Sequence, residues 1–227
     1  MKPLLFKKTI LAIGAHPDDI ELGCGGFINR LRNEQKCSIH FAVMTPGMSM
    51  QNPTGETPDR YAESRKAAEA LLGLNPGDVD CFVHPGNFVD RELELASRGM
   101  IGFIENLLES LEPSVILTHA RPDLHADHRQ VHEATLSAAR SFAGSILFYQ
   151  APSTIPNEFK PNYFVVLGPD SLSAKQTALA AHVSQRSKDF ISYDRIAGMA
   201  RSWALFHRAK FENLEAFELY QTYWKAD

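Results

Sequence analysis

Short apolar runs recur along this chain and alternate with longer segments of helical period, which constrains its fold more than any other feature. TILAIG (9–14), SIHFAVM (38–44), VDCFV (79–83), SVILT (114–118) and YFVVL (163–167) read as strands. Most are continuous apolar runs rather than alternating ones, as expected of strands covered on both faces in a parallel sheet. Between them, residues 25–34 place Phe27, Ile28 and Leu31 on one helical face, and 58–72 begin at Pro58 and stop before Gly73. Residues 97–111 repeat apolar side chains at Ile101, Ile104, Leu107, Leu108 and Leu111, and 126–141 and 171–183 complete the helical set. The expected fold is a single α/β domain over 1–227, with a mainly parallel sheet and helices on both faces. At 227 residues and 44% hydrophobic, the chain can bury one substantial core.

Composition narrows the function. A net charge of −4 disfavours a basic face for nucleic acid or anionic membrane. The three cysteines (Cys24, Cys37, Cys81) form no CxxC pair, so neither a disulfide scaffold nor a cysteine zinc knuckle is indicated. Lys7 and Lys8 interrupt the leading apolar run, which argues against a secretory signal, and no continuous apolar stretch is long enough to span a bilayer. The expectation is a soluble cytoplasmic protein. No heptad pattern fixes its oligomeric state, so a homo-oligomer stays open.

In open parallel sheets, sites form at the carboxyl ends of strands, and two such ends are chemically loaded. AHPDDIELGCGG (15–26) follows the first strand and brings His16, Asp18, Asp19 and Glu21 together. Burying these carboxylates beside an apolar sheet is expensive unless a cation compensates them. Its glycines do not match GxGxxG, and its acidic residues would repel a pyrophosphate. HARPDLHADHRQVH (119–132) follows the fourth strand and holds four of the nine histidines. Alone, HADH reads more readily as a helix cap with surface histidines. Imidazole and carboxylate from both strand ends together would make a three-ligand set with an open position, which marks a catalytic metal site.

AHPDDIELGCGG and the downstream HADH resemble the two signature motifs of the PIG-L/LmbE-like family of zinc-dependent N-acetylglucosaminyl deacetylases. RYAESRKAAEALLGL (60–74) resembles the family's Arg-led helix, and AAHVSQ (180–185) and LEAFELY (214–220) resemble its C-terminal region more loosely. The resemblance implies a Rossmann-like fold and a Zn2+ site made by His16, Asp19 and His128, a set that also suits Fe2+. It further implies Asp18 as general base, His125 as acid or oxyanion-stabilising group with Asp127 beside it, and Arg60 and His182 as substrate contacts. HPGNFVD (84–90) departs from the family's Pro-Asp-Gly stretch, so no contact is carried over from that loop.

The implied reaction removes an N-acetyl group from an N-acetylglucosamine-type sugar or conjugate. The partner is a small molecule, with neither nucleic acid nor a membrane span involved. Asp18 and Asp19 are adjacent and diverge once Pro17 sets the turn, which leaves Asp18 free as a base. A hydrogen bond from Asp127 to His125 would raise that histidine's pKa and keep it charged. A related amidase acting on another acylated amine or a sugar-thiol conjugate shares every motif. An iron(II) oxygenase using His125, Asp127 and His182 does not fit, because its His-x-Asp sits on a strand whereas 126–141 is helical in composition. A carbohydrate-binding protein on a decayed scaffold fits poorly, since every residue expected to carry chemistry is present.

Overall fold

The computed structural model describes residues 9–47, 59–75 and 82–223. Its core is one seven-stranded sheet of order β3-β2-β1-β4-β5-β7-β6. The strands are β1 (Thr9–Gly14), β2 (Ser38–Val43), β3 (Val83–Pro85), β4 (Val115–His119), β5 (Ser145–Tyr149), β6 (Tyr163–Val166) and β7 (Leu214–Gln221). From β1 the chain steps outward through β2 to β3, then returns to the other side of β1 as β4 and continues to β5, all in parallel. Crossovers therefore leave β1 and β4 toward opposite edges, and the crevice between their carboxyl ends is the topological switch point of a Rossmann-like sheet.

Among the described residues, six α-helices are formed: α1 (Asp19–Gln35), α2 (Arg60–Leu72), α3 (Ser97–Leu111), α4 (Ala126–Ala138), α5 (Pro169–Ala180) and α6 (Tyr193–Phe206). α1, α2 and α5 pack together on one face, while α3 and α4 pair on the other. Successive strand residues point to opposite faces, so β1 divides its side chains between two cores. Ile10 and Ala12 join the cluster under α1, with Phe27, Ile28, Leu71 and Leu179. Leu11 and Ile13 join the cluster under α3 and α4, with Ile104 and Val131. This two-sided burial explains why the strand sequences carry little polar alternation.

Several boundaries depart from the sequence expectation. Of the run 79–83, Val83 begins β3, while 79–81 lie outside the described residues, as do Pro58 and Cys81. β5, α6 and β7 were not anticipated. β7 pairs antiparallel with both β5 and β6, so the sheet is mixed at that edge. Glu215 and Glu218 interrupt the apolar character of β7, and Gly198 weakens the helical signal of α6.

α1 begins six residues earlier than expected, at Asp19, because the glycine-rich tail is itself helical around a break at Cys24 (φ −142°, ψ 16°). That break frees backbone groups, and two distant side chains take them. Lys175 Nζ donates to Leu22 O at 2.7 Å, and the Glu215 carboxylate accepts from Gly26 N at 2.9 Å and Phe27 N at 2.7 Å. Lys175 and Glu215 also pair with each other at 2.7 Å, both buried. The first half of α1 thus ends on a cation and the second half starts on an anion, as the helix dipole favours. The glycines serve close approach: a Cβ on Gly23 would lie 2.1 Å from the Tyr149 ring, and one on Gly26 would lie 2.7 Å from Leu167.

Candidate active site

The two loaded loops meet in the crevice, and Asp19 is their centre. Its carboxylate lies 3.3 Å from His16 Nδ1, 3.3 Å from His128 Nε2 and 3.2 Å from His119 Nε2. The outer nitrogens face other acids. His128 Nδ1 meets Asp123 Oδ2 at 3.2 Å, while His16 Nε2 meets Asp90 Oδ1 at 2.9 Å and Asp127 Oδ2 at 3.2 Å. A carboxylate on the outer nitrogen holds its proton there and turns the inner lone pair toward the centre. Two imidazole lone pairs and a carboxylate then converge, acceptor on acceptor, an arrangement that requires a shared positive charge.

The surrounding carboxylates favour positive charge on both rings. Burial alone would depress both histidines. For His16, the bonds to Asp127, Asp19 and Asp90 overcome burial and raise the ring well above its ordinary value. For His128, Asp19 and Asp123 overcome burial and raise it to about 9. Asp19 is held well below the usual carboxylate range, since His128 and His119 outweigh the burial that opposes ionisation. The donor set of two imidazoles and one carboxylate fits a borderline divalent cation. Among the described residues, three groups each bring their own ligating atoms within 4.8 Å of one another: His16, His125 and His128; Asp19, His119 and His128; and His16, Asp90 and Asp127. His119 belongs to one such group, but its Nε2 already accepts the Ala15 amide at 3.1 Å. Burial lowers it to about 4, which leaves it a neutral support stacked on His128 at 4.0 Å.

Asp18 caps α1 with φ 113°, a left-handed conformation that costs a non-glycine residue about 1–3 kcal/mol. Burial, reinforced by Asp19, raises Asp18 to about 7, and Arg60 opposes the rise. Arg60 Nη2 lies 3.4 Å from Asp18 Oδ1 and donates to Pro17 O at 2.6 Å. A cavity of about 440 Å³ opens over these groups, lined by His16, Asp18, Asp19, Arg60, His125 and His128 among others.

Two expectations require correction. Asp127 does not bond the His125 ring. Its carboxylate is engaged by His16 Nε2 and by Arg91 N at 2.9 Å, and its own amide donates to His125 Nδ1 at 3.3 Å. His125 is accordingly lowered rather than raised, by burial first and then by the cationic His16 and His128. Its proton sits on Nε2, so it is a neutral donor. His182 is fully buried, faces Glu21 Oε1 at 3.5 Å and lines neither the catalytic cavity nor a larger one beneath α6, rather than standing open to a substrate. Arg60 lines the catalytic cavity, with Nη2 on Asp18 and the Pro17 carbonyl.

The structure also adds residues. Asp123, lowered to about 2 against the effect of burial by His128 and Ser153, fixes the His128 ring and accepts from Ser153 Oγ at 2.6 Å and Thr154 Oγ1 at 3.0 Å. Its position in RPDLHADH was the available signal. Asp90 comes from the loop whose departure from the family pattern had prevented any assignment, and only the fold could place it on His16.

A family model described as GlcNAc-PI de-N-acetylase, PIG-L, matches residues 11–139, which include both motif loops. A deacetylase of Escherichia coli named YaiS is 37% identical, covering 78% of this chain and 92% of its own length. The diacetylchitobiose deacetylase of Thermococcus kodakarensis is 29% identical, covering 80% of this chain and 72% of its own. Among solved structures, the N,N'-diacetylchitobiose deacetylase of Pyrococcus horikoshii superposes with a TM-score of 0.74 at 20% identity, covering 93% of this chain and 83% of that one. At that identity the likeness establishes the fold. Among the described residues, no helix is long and apolar enough to cross a membrane.

Proposed function

This chain belongs to the PIG-L de-N-acetylase family, and from that premise we propose that it is a metal-dependent hydrolase removing the acetyl group from an N-acetylglucosamine-type sugar or conjugate. The observation that carries the proposal is the convergence of His16 Nδ1 and His128 Nε2 on the Asp19 carboxylate, each ring backed by a carboxylate on its other nitrogen. His16, Asp19 and His128 would hold the cation, with Zn2+ the first assignment and Fe2+ compatible. The acetylated-sugar substrate draws support from the diacetylchitobiose deacetylase relative.

A bound divalent cation supplies Lewis-acid activation of water and of the amide carbonyl. The residues of the chain do the rest. Asp18, raised by burial to about 7, is poised to take the proton of the attacking water near neutral pH. Arg60 holds Asp18 in place without neutralising it. His125, neutral and protonated on Nε2, donates a hydrogen bond to the oxyanion that develops on the amide. Asp18, now carrying a proton, is the group able to return it to the leaving amine.

Acetate release from N-acetylglucosamine and diacetylchitobiose by the purified protein tests this reading. Release should stop on chelation and return with Zn2+. If no N-acetylated sugar is turned over by the metal-loaded protein, the reading is wrong.

A further inference from the structure

The first turn of α2 carries two side chains on one face, Arg60 and Glu63, and they reach different places. Arg60 enters the catalytic cavity beside Asp18. Glu63 lines neither that cavity nor the one beneath α6. It crosses instead to the segment after α5, where Oε1 accepts from Ser184 N at 2.8 Å and Oε2 accepts from Ser184 Oγ at 2.6 Å. Ser184 sits in a short 3₁₀ turn, Val183–Gln185, and Gln185 returns from that turn to the wall of the catalytic cavity.

Hydrogen-bond direction fixes the Gln185 amide. A carboxylate only accepts, so the Ser184 hydroxyl gives its single proton to Glu63. Ser184 Oγ is then left to accept, and Gln185 Nε2 donates to it at 3.1 Å. The Gln185 backbone is engaged as well: its N–H donates to His182 O at 3.0 Å, and its carbonyl accepts from Lys188 N at 2.8 Å. What remains is Oε1. Gln185 is only 8% exposed, yet no hydrogen bond from a described residue reaches that oxygen. A buried amide oxygen without a partner is unfavourable, and in the wall of a catalytic cavity the partner that suits it is a donor on the bound molecule.

We propose that Gln185 Oε1 accepts a hydroxyl of the substrate's sugar ring, and that Glu63, acting through Ser184, is the positioning residue that keeps this oxygen rather than the NH2 turned to the cavity. The proposal rests on the deacetylase reading and deepens it: the substrate is an N-acetylated sugar whose ring keeps one particular hydroxyl free. A neutral acceptor suits that task, because it takes the hydroxyl proton without adding charge to a cavity that already holds Asp18, Asp19 and Asp90.

The probes are N-acetylglucosamine and its 3-, 4- and 6-deoxyfluoro analogues, in which fluorine replaces a hydroxyl and cannot donate. Dissociation constants from NMR titration of the zinc-loaded protein are read beside kcat and KM for acetate release. In the parent, one analogue should bind about tenfold more weakly than N-acetylglucosamine, because it leaves Oε1 unpaired. The same loss should fall on KM. Gln185→Leu should erase the difference. In Glu63→Gln the introduced amide donates to Ser184 Oγ, the Ser184 hydroxyl turns to Gln185 Oε1, and Nε2 is left facing the cavity. The difference should therefore collapse there too, although Gln185 itself is intact. Ser184→Ala breaks the same link should Glu63→Gln fold poorly.

Zinc content by elemental analysis should match the parent in all three variants. Loss of zinc together with the difference assigns the effect to the metal site and overturns the proposal. Equal affinity for all four sugars in the parent overturns the contact, and so does a difference that survives Gln185→Leu. A difference lost in Gln185→Leu but kept in both Glu63→Gln and Ser184→Ala overturns the positioning role of Glu63. If binding discriminates as expected but no sugar is hydrolysed, the contact stands and the deacetylase reading fails.

Discussion

The helix α1 carries buried charge at two places, and the two are built on opposite plans. At its break, Lys175 and Glu215 are satisfied by each other and by the backbone of Leu22, Gly26 and Phe27. At its N-terminus, Asp19 faces three imidazole nitrogens, and the carboxylates around His16 and His128 favour positive charge there. The first cluster is closed and repairs a helix. The second is open toward a cation or a substrate. Burial and ionic character are shared, so neither distinguishes structure from chemistry; the presence of partners already in place does.

The largest effect expected from breaking this contrast is at the open cluster. Asp19→Ala should abolish stoichiometric metal binding and acetate release, and chelation should no longer lower its melting temperature as it lowers that of the parent. Elemental analysis and a melt with and without chelator check this; a full metal complement in the variant would remove Asp19 from the ligand set. Next comes the closed cluster. Glu215→Ala strands a buried Lys175 and uncaps the second half of α1, and should reduce unfolding free energy in urea by about 3–5 kcal/mol. The folded fraction should bind metal as the parent does, because no ligand contacts Glu215. A metal-binding defect with normal stability would reverse the assignment of the two clusters.

Support for the open cluster should matter less than its centre. Asp123→Ala releases the outer nitrogen of His128 and should weaken metal affinity by about 10–100-fold without abolishing binding, as read by competition with a chelating dye. An unchanged affinity would sever Asp123 from the site. The smallest effect concerns Arg60, whose charge lowers Asp18. Asp18 works as a base only when ionised, so activity falls as pH drops through its pKa. Arg60→Met raises that pKa and should move the acidic limb of kcat/KM to higher pH. A shift toward lower pH would show that Arg60 does not act through Asp18.

Much of the sheet was legible because β1, β2 and β4 are buried on both faces and read as apolar runs. β7 was not, because Glu215 points inward to cap α1 and Glu218 meets Lys160 N, so its pattern records tertiary partners rather than a simple alternation. At the site, His16, Asp18, Asp19, His125, Asp127 and His128 were all recognisable as a group, since two compact motifs carry them. The direction of each side chain was not recognisable. Asp127 turned to His16 instead of His125, and His182 turned inward to Glu21.

The amino-acid sequence alone determined the strand-helix alternation, the two loaded strand ends and the chemical types gathered there. These follow from local periodicity and from short motifs tied to strand ends. The tertiary structure decided which nitrogen of each histidine faces inward, which carboxylate stays clear of the centre, and that Asp90 and Glu215 meet α1 and its loop from far along the chain. Hydrogen-bond direction and burial depend on atoms brought together by folding, and a linear pattern carries no record of which partner each side chain finds.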